Sequence, residues 1–108
     1  PTVREADGVA MSSRNVRLTP EDRAAAPVLN ASLDAAEKLV RSGTSVEEVA
    51  DTIARVIKTE PRADLKGLDI VEAATFLPAS GLITQKIGIM ISAQFGEILL
   101  IDQREITP

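Results

Sequence analysis

Lys86-Ile87-Gly88-Ile89-Met90-Ile91-Ser92-Ala93, then Phe95-Gly96, then Glu97-Ile98-Leu99-Leu100-Ile101-Asp102 is the stretch that decides the fold. Both long runs are apolar and rich in β-branched side chains, which suit a pleated, half-buried surface better than a helix. Phe95-Gly96 between them reads as the tight turn of an antiparallel hairpin, because glycine reaches positive φ without a Cβ clash. Upstream, Leu68 to Phe76 carries Ile70, Val71 and Phe76 and reads as a third strand. Residues 78–84, rich in Pro, Ser and Gly, form a loop, and Pro61 to Gly67 a polar connection.

Before the strands the pattern is helical. Leu18-Thr19-Pro20-Glu21-Asp22 opens a helix: Thr19 can cap it, Pro20 suits its first position, and two acids sit at the positive end of the dipole. Ala26, Leu29, Leu33, Ala36 and Val40 then share one helical face. Pro27 interrupts the run at a cost of about 3 kcal/mol, so a short helix over 20–26 and a longer one over 27–42 are expected. Gly43 is a natural stop. Ser45 and Glu48 have capping-box spacing for another helix, with Val46, Val49, Ala50, Ile53, Val56 and Ile57 on its apolar face. Glu60-Pro61 ends it. The expected fold is α+β: two to three helices packed on one face of a three-stranded antiparallel sheet.

Composition excludes several functions. With 108 residues the chain is one domain's worth, and 44% apolar against 26% charged residues argues for a folded core over disorder. Aromatics are 2% and the formal charge is −4, so neither base stacking nor a basic stripe recommends nucleic acid as a partner. There is no cysteine, hence no disulfide or thiolate metal site. There is no histidine either, so no imidazole base and no Ser-His-Asp triad. Neither a signal sequence nor a long apolar span is visible, which leads to the expectation of a cytoplasmic protein with no membrane partner.

The remaining stretch is the beginning, Thr2-Val3-Arg4-Glu5-Ala6-Asp7-Gly8-Val9-Ala10-Met11-Ser12-Ser13-Arg14-Asn15. It reads as a short extended segment, an Asp-Gly turn, and two hydroxyls beside a guanidinium. That group suits a phosphate or carboxylate: arginine grips the oxyanion with its planar fork while hydroxyls fill the remaining lone pairs. The plainer reading is a polar loop leading into a helix.

Taken whole, Pro-Thr-Val-Arg-Glu-Ala-Asp-Gly followed by Ala-Met-Ser-Ser-Arg-Asn resembles the opening of the C-terminal domain of pantothenate synthetases. The resemblance continues through the Thr-Pro-Glu-Asp-Arg helix start and more weakly to Phe95-Gly96 and Leu100-Ile101-Asp102. It implies part of an ATP-dependent ligase that joins pantoate to β-alanine through a pantoyl-adenylate. It further implies that Met-Ser-Ser-Arg is the counterpart of the mobile Lys-Met-Ser-Lys-Ser loop of class I aminoacyl-tRNA synthetases. By that resemblance Met11, Ser12, Ser13 and Arg14 line the nucleotide and Val3 offers its carbonyl to the adenine. Ser12 and Ser13 bind phosphate oxygens, and Arg14 stabilises charge on the departing pyrophosphate. Met11 reads equally as a packing residue. ATP with Mg2+ is the implied cofactor, with the metal not held by this domain.

The family's His-Ile-Gly-His nucleotide motif is missing, as is the dinucleotide-fold half that carries it. Residues 1–108 are therefore expected to be a separate C-terminal lid domain, inactive alone. Pantoate, β-alanine and a homodimer contact would belong to the N-terminal half. Leu99, Gln103, Ile70 and Thr75 depart from the family pattern and suggest changes in packing or domain contact. Asp102 and Glu72 are carboxylates at strand ends, where acids are usually surface groups, and no catalytic role is assigned to them. The competing function is a small α+β module that binds a protein or acidic metabolite, with Arg14 as its anion contact.

Overall fold

The computed structural model describes residues 3–108, so the opening Pro-Thr of the first motif lies outside the described residues. After a 3₁₀ turn at Ser13–Arg17 come α1 (Pro20–Ala25), α2 (Val28–Ser42) and α3 (Val46–Lys58). The strands β1 (Asp64–Glu72), β2 (Ile87–Phe95) and β3 (Ile98–Ile106) follow as an antiparallel meander in the order β1-β2-β3. The expected α+β arrangement is what forms.

The helix boundaries have local causes. The Thr19 hydroxyl accepts the Asp22 amide at 3.1 Å, with Pro20 in the first turn. Pro27 separates α1 from α2, as its missing N–H requires. Gly43 closes α2 at φ 92°, a conformation that a side chain would strain. Ser45 accepts the Glu48 amide at 3.2 Å, while the Glu48 carboxylate takes the Thr44 hydroxyl at 2.8 Å.

Ile87, Ile89, Ile91, Ala93 and Phe95 of β2 alternate inward against Leu33, Ala36, Val40, Val49, Ile53 and Ile57 of the helices. This all-aliphatic layer with one phenylalanine is the core. The hairpin register pairs Phe95 with Ile98 across Gly96-Glu97. Gly96 has φ 60° and Glu97 does not share positive φ, which makes the turn type II′. The opposite face of the sheet is uncovered among the described residues and carries Met90, Leu99, Ile101 and Gln103.

Three boundaries differ from expectation: the hairpin turn is Gly96-Glu97 and not Phe95-Gly96, because Phe95 is the last, buried residue of β2, and β1 is shifted at both ends. β1 begins at Asp64 and takes in most of the polar connection; a bulge between Leu65 and Gly67 absorbs its irregular pattern. The strand also stops at Glu72, so Phe76 is not a strand residue. It sits in the following turn with φ 60° and an exposed side chain, while Pro78 bridges back to Val71.

Candidate functional site

The opening segment folds as a small hairpin. Glu5 donates its amide to Val9 O (2.8 Å), Gly8 to Glu5 O (2.9 Å) and Met11 to Val3 O (2.8 Å), with Arg4 bridging Ala10. Asp7-Gly8 is its tip. Gly8 has φ 91°, and a Cβ there would stand 2.5 Å from the Asn30 amide, so both conformation and space call for glycine. Val9 turns inward and is buried with Leu29 and Ala26.

Three side chains anchor this hairpin. Arg4 spans to the last strand: Nη1 and Nη2 donate to the two oxygens of Asp102 at 2.7 and 3.0 Å, and Nη1 also to Gly8 O at 2.9 Å. Arg23 on α1 donates to Asp7 at 2.8 and 3.1 Å and to Glu5 at 3.0 Å. Asn15, buried in the 3₁₀ turn, donates its amide to Glu5 and to Ala10 O. Hydrogen bonds from Asn15 and then Arg23 hold the Glu5 carboxyl below the usual carboxylate range. Arg23 does the same for Asp7, with help from the Val9 amide, and its own guanidinium is pushed still further up by Asp7 and Glu5.

Beyond these anchors the chain presents Met11, Ser12, Ser13 and Arg14, all exposed. The Ser12 hydroxyl accepts the Arg14 amide at 3.1 Å and keeps its own proton to donate. The Arg14 guanidinium forms no ion pair among the described residues, unlike Arg4 and Arg23. Met11 is 59% exposed and lies outside the buried core of the described residues. Val3 is exposed too, and its carbonyl already holds the Met11 amide, leaving one lone pair for another donor.

Ser12, Arg14, Asn15 and Asp102 line a hollow of only about 40 Å³. A nucleotide needs a pocket of several hundred Å³ (about 300–1,000), so this hollow cannot enclose one. The Asn15 Oδ1 atom is buried without a hydrogen-bond partner. A far larger depression, about 1250 Å³, lies along Val71, Met90 and Gln103 and does not include the hydroxyl-arginine cluster. Among the described residues no three acidic side chains stand together as a metal site.

Asp102 departs from the sequence reading. It is 3% exposed and ion-paired, not a surface acid. The signal was available: Asp102 has the same parity as Ile98 and Leu100, so it points inward, where a carboxylate must find a partner. Glu72 is half-buried and accepts the Thr75 hydroxyl at 3.0 Å. Leu99 and Gln103 lie on the uncovered sheet face and Thr75 in an exposed turn, so of these departures only Ile70 belongs to the core.

A sequence profile described as pantoate-beta-alanine ligase matches residues 1–105. The chain belongs to the pantoate-beta-alanine ligase family. Pantothenate synthetase from Bartonella henselae is 40% identical over 104 residues, covering 95% of this chain and 37% of the relative. The Thermus thermophilus pantothenate synthetase is 41% identical over 108 residues, 100% of this chain and 39% of the relative. Its crystal structure superposes with a TM-score of 0.89 at 39% identity, covering 100% of this chain and 39% of that one. This chain thus spans 37% to 39% of the length of these pantoate-beta-alanine ligase relatives. Among the described residues, no helix is long and apolar enough to cross a membrane.

Proposed function

We propose that this chain works as the C-terminal, phosphate-facing lid of a cytoplasmic pantoate–β-alanine ligase that uses ATP. The observation that carries this is the exposed Ser12-Ser13-Arg14 cluster: side-chain donors without acceptors among the described residues, on an anchored segment, beside a hollow too small for the ligand. Half of a site is what such a surface offers. In this reading a second domain brings ATP and pantoate, with Mg2+ carried on the phosphates, and the ligase dimerises through that other domain.

Each residue then has a defined task. Ser12 and Ser13 donate to phosphate oxygens, and the Arg14 fork stabilises the negative charge that accumulates on pyrophosphate as the acyl-adenylate forms. The second lone pair of the Val3 carbonyl accepts the adenine amino group, and Met11 covers the nucleotide. Closure of the lid removes water, which strengthens these contacts and protects the adenylate from hydrolysis.

Alone, the chain should be silent. Charge-assisted hydrogen bonds contribute roughly 1.5–3 kcal/mol each, whereas micromolar binding needs about 8 kcal/mol together with the cost of immobilising the ligand. Titration of Mg-ATP into the 108-residue chain should give a Kd no tighter than about 1 mM. The decisive experiment grafts this chain in place of the matching segment of the Thermus thermophilus enzyme. Arg14→Ala in that graft should lower kcat by about 10²–10³ with the melting temperature unchanged. Full rate without Arg14, or a folded graft that makes no pantothenate, counts against the reading. If Arg14→Ala instead spared the rate and weakened association with another protein, a binding module would be the better description.

A further inference from the structure

The structure assigns Arg4 and Asp102 a second task beyond holding the fold: we propose that they are positioning residues, setting where Ser12, Ser13 and Arg14 stand relative to the sheet. This inference rests on those three being the phosphate ligands.

Four observations carry it. First, the pair is a poor choice for stability alone. Asp102 occupies an inward position in an aliphatic layer, its side chain 2% exposed. An ion pair in such a place is often no better than apolar residues of the same volume, because the buried carboxylate loses its water while Arg4, 21% exposed, keeps only part of its own. Second, Arg4 does more than neutralise Asp102. The same Nη1 that meets Asp102 at 2.7 Å also holds Gly8 O at 2.9 Å, so one rigid guanidinium fixes the hairpin tip and the strand together. Third, the carboxylate is itself oriented: Asp102 Oδ1 accepts both Arg4 Nη2 at 3.0 Å and the Gln103 amide at 2.7 Å. Fourth, Asp102, Ser12 and Arg14 line the same small hollow. Asp102 therefore stands beside Ser12 and Arg14, while Arg4, which lines the larger depression, reaches it from the other side and ties it to Gly8; a change in the geometry of the pair is passed through the hairpin to the hydroxyls and the guanidinium.

A lysine at position 4 would keep the charge but not the fork. Its ammonium is a point charge on a flexible stem and cannot reproduce the planar, two-pronged grip on the carboxylate. Displacements of an ångström in catalytic groups cost large factors in rate, so loss of the fork should register in catalysis before it registers in folding.

The test uses the graft described above, with two variants chosen to separate position from stability. Arg4→Lys should lower kcat/KM for ATP by about tenfold or more, with KM for pantoate unchanged. The paired variant Arg4→Met with Asp102→Leu removes both charges at once and should recover the melting temperature. It should nevertheless keep the loss in kcat/KM for ATP, and adding Arg14→Ala to it should cost much less than Arg14→Ala does alone, as expected for residues acting through one another. If the apolar pair restores both melting temperature and kcat/KM for ATP, or if the Arg14→Ala penalty is undiminished in it, the pair is structural only and the proposal fails. The phosphate-ligand reading fails separately, by an inert Arg14→Ala in the unaltered graft.

Discussion

The helix-on-sheet layer is held by apolar side chains from α2, α3 and β2 that are almost wholly out of water, whereas the segment from Val3 to Arg17 places only Val9 in that core and is otherwise held at its edge by Arg4, Asn15 and Arg23. The first kind of contact is non-directional and tolerates small shifts; the second fixes distances and angles. Under the lid function proposed above, a segment that presents three polar groups in a set arrangement is better served by the second. The contrast teaches that stability and placement are supplied by different residues here, and the two can be perturbed separately.

The largest effect should come from the core. Phe95→Ala, at a site 1% exposed, should destabilise the chain by about 3–5 kcal/mol, read from urea unfolding. Hydrogen exchange at the Glu5, Gly8 and Met11 amides should then rise only through global opening. Faster local exchange there would break the division between the two regions. Gly8→Ala tests the other side. With φ 91° and Asn30 in the way, it should cost about 1–3 kcal/mol, confined to the hairpin and its amides. A change spread evenly over α3 and β2 would show that the regions unfold as one. The smallest effect is a pH dependence. Glu5 and Asp7 are held below their ordinary carboxyl range by Arg23 and, for Glu5, chiefly by Asn15. Their contribution is therefore complete above that range, roughly pH 4, and is lost as pH falls through the depressed values. Acid should shift the Val9 and Ala10 amide resonances before those of α3, and added salt should weaken the same contacts.

How far the sequence reveals all this follows the same division. Periodicity is a local property, so Leu29, Leu33, Ala36 and Val40 announce a helix face, and the Pro27 break, the Gly43 stop and the Gly96 turn can be read from single residues. The start of β1 was hidden because Asp64 to Gly67 carries exposed polar residues and a bulge. Phe76 misled because aromatic residues favour strands, yet this one occupies a turn at positive φ. At the site, the Ser-Ser-Arg triplet offers groups suited to an oxyanion, but the sequence around it does not say what steadies them. The Arg4–Asp102 partnership joins positions 98 apart, which no local pattern can announce. Its only trace was the parity of Asp102 with Ile98 and Leu100.

That separation has a consequence for biosynthesis. β3 is the last of the described strands to leave the ribosome, so Arg4 emerges long before the carboxylate that receives it. Until then the guanidinium is solvated and the hairpin has no seat. Nascent chains that stop short of Asp102 consequently carry the serines and Arg14 without a fixed bearing, and synthesis of β3 sets the moment at which the hairpin finds its seat.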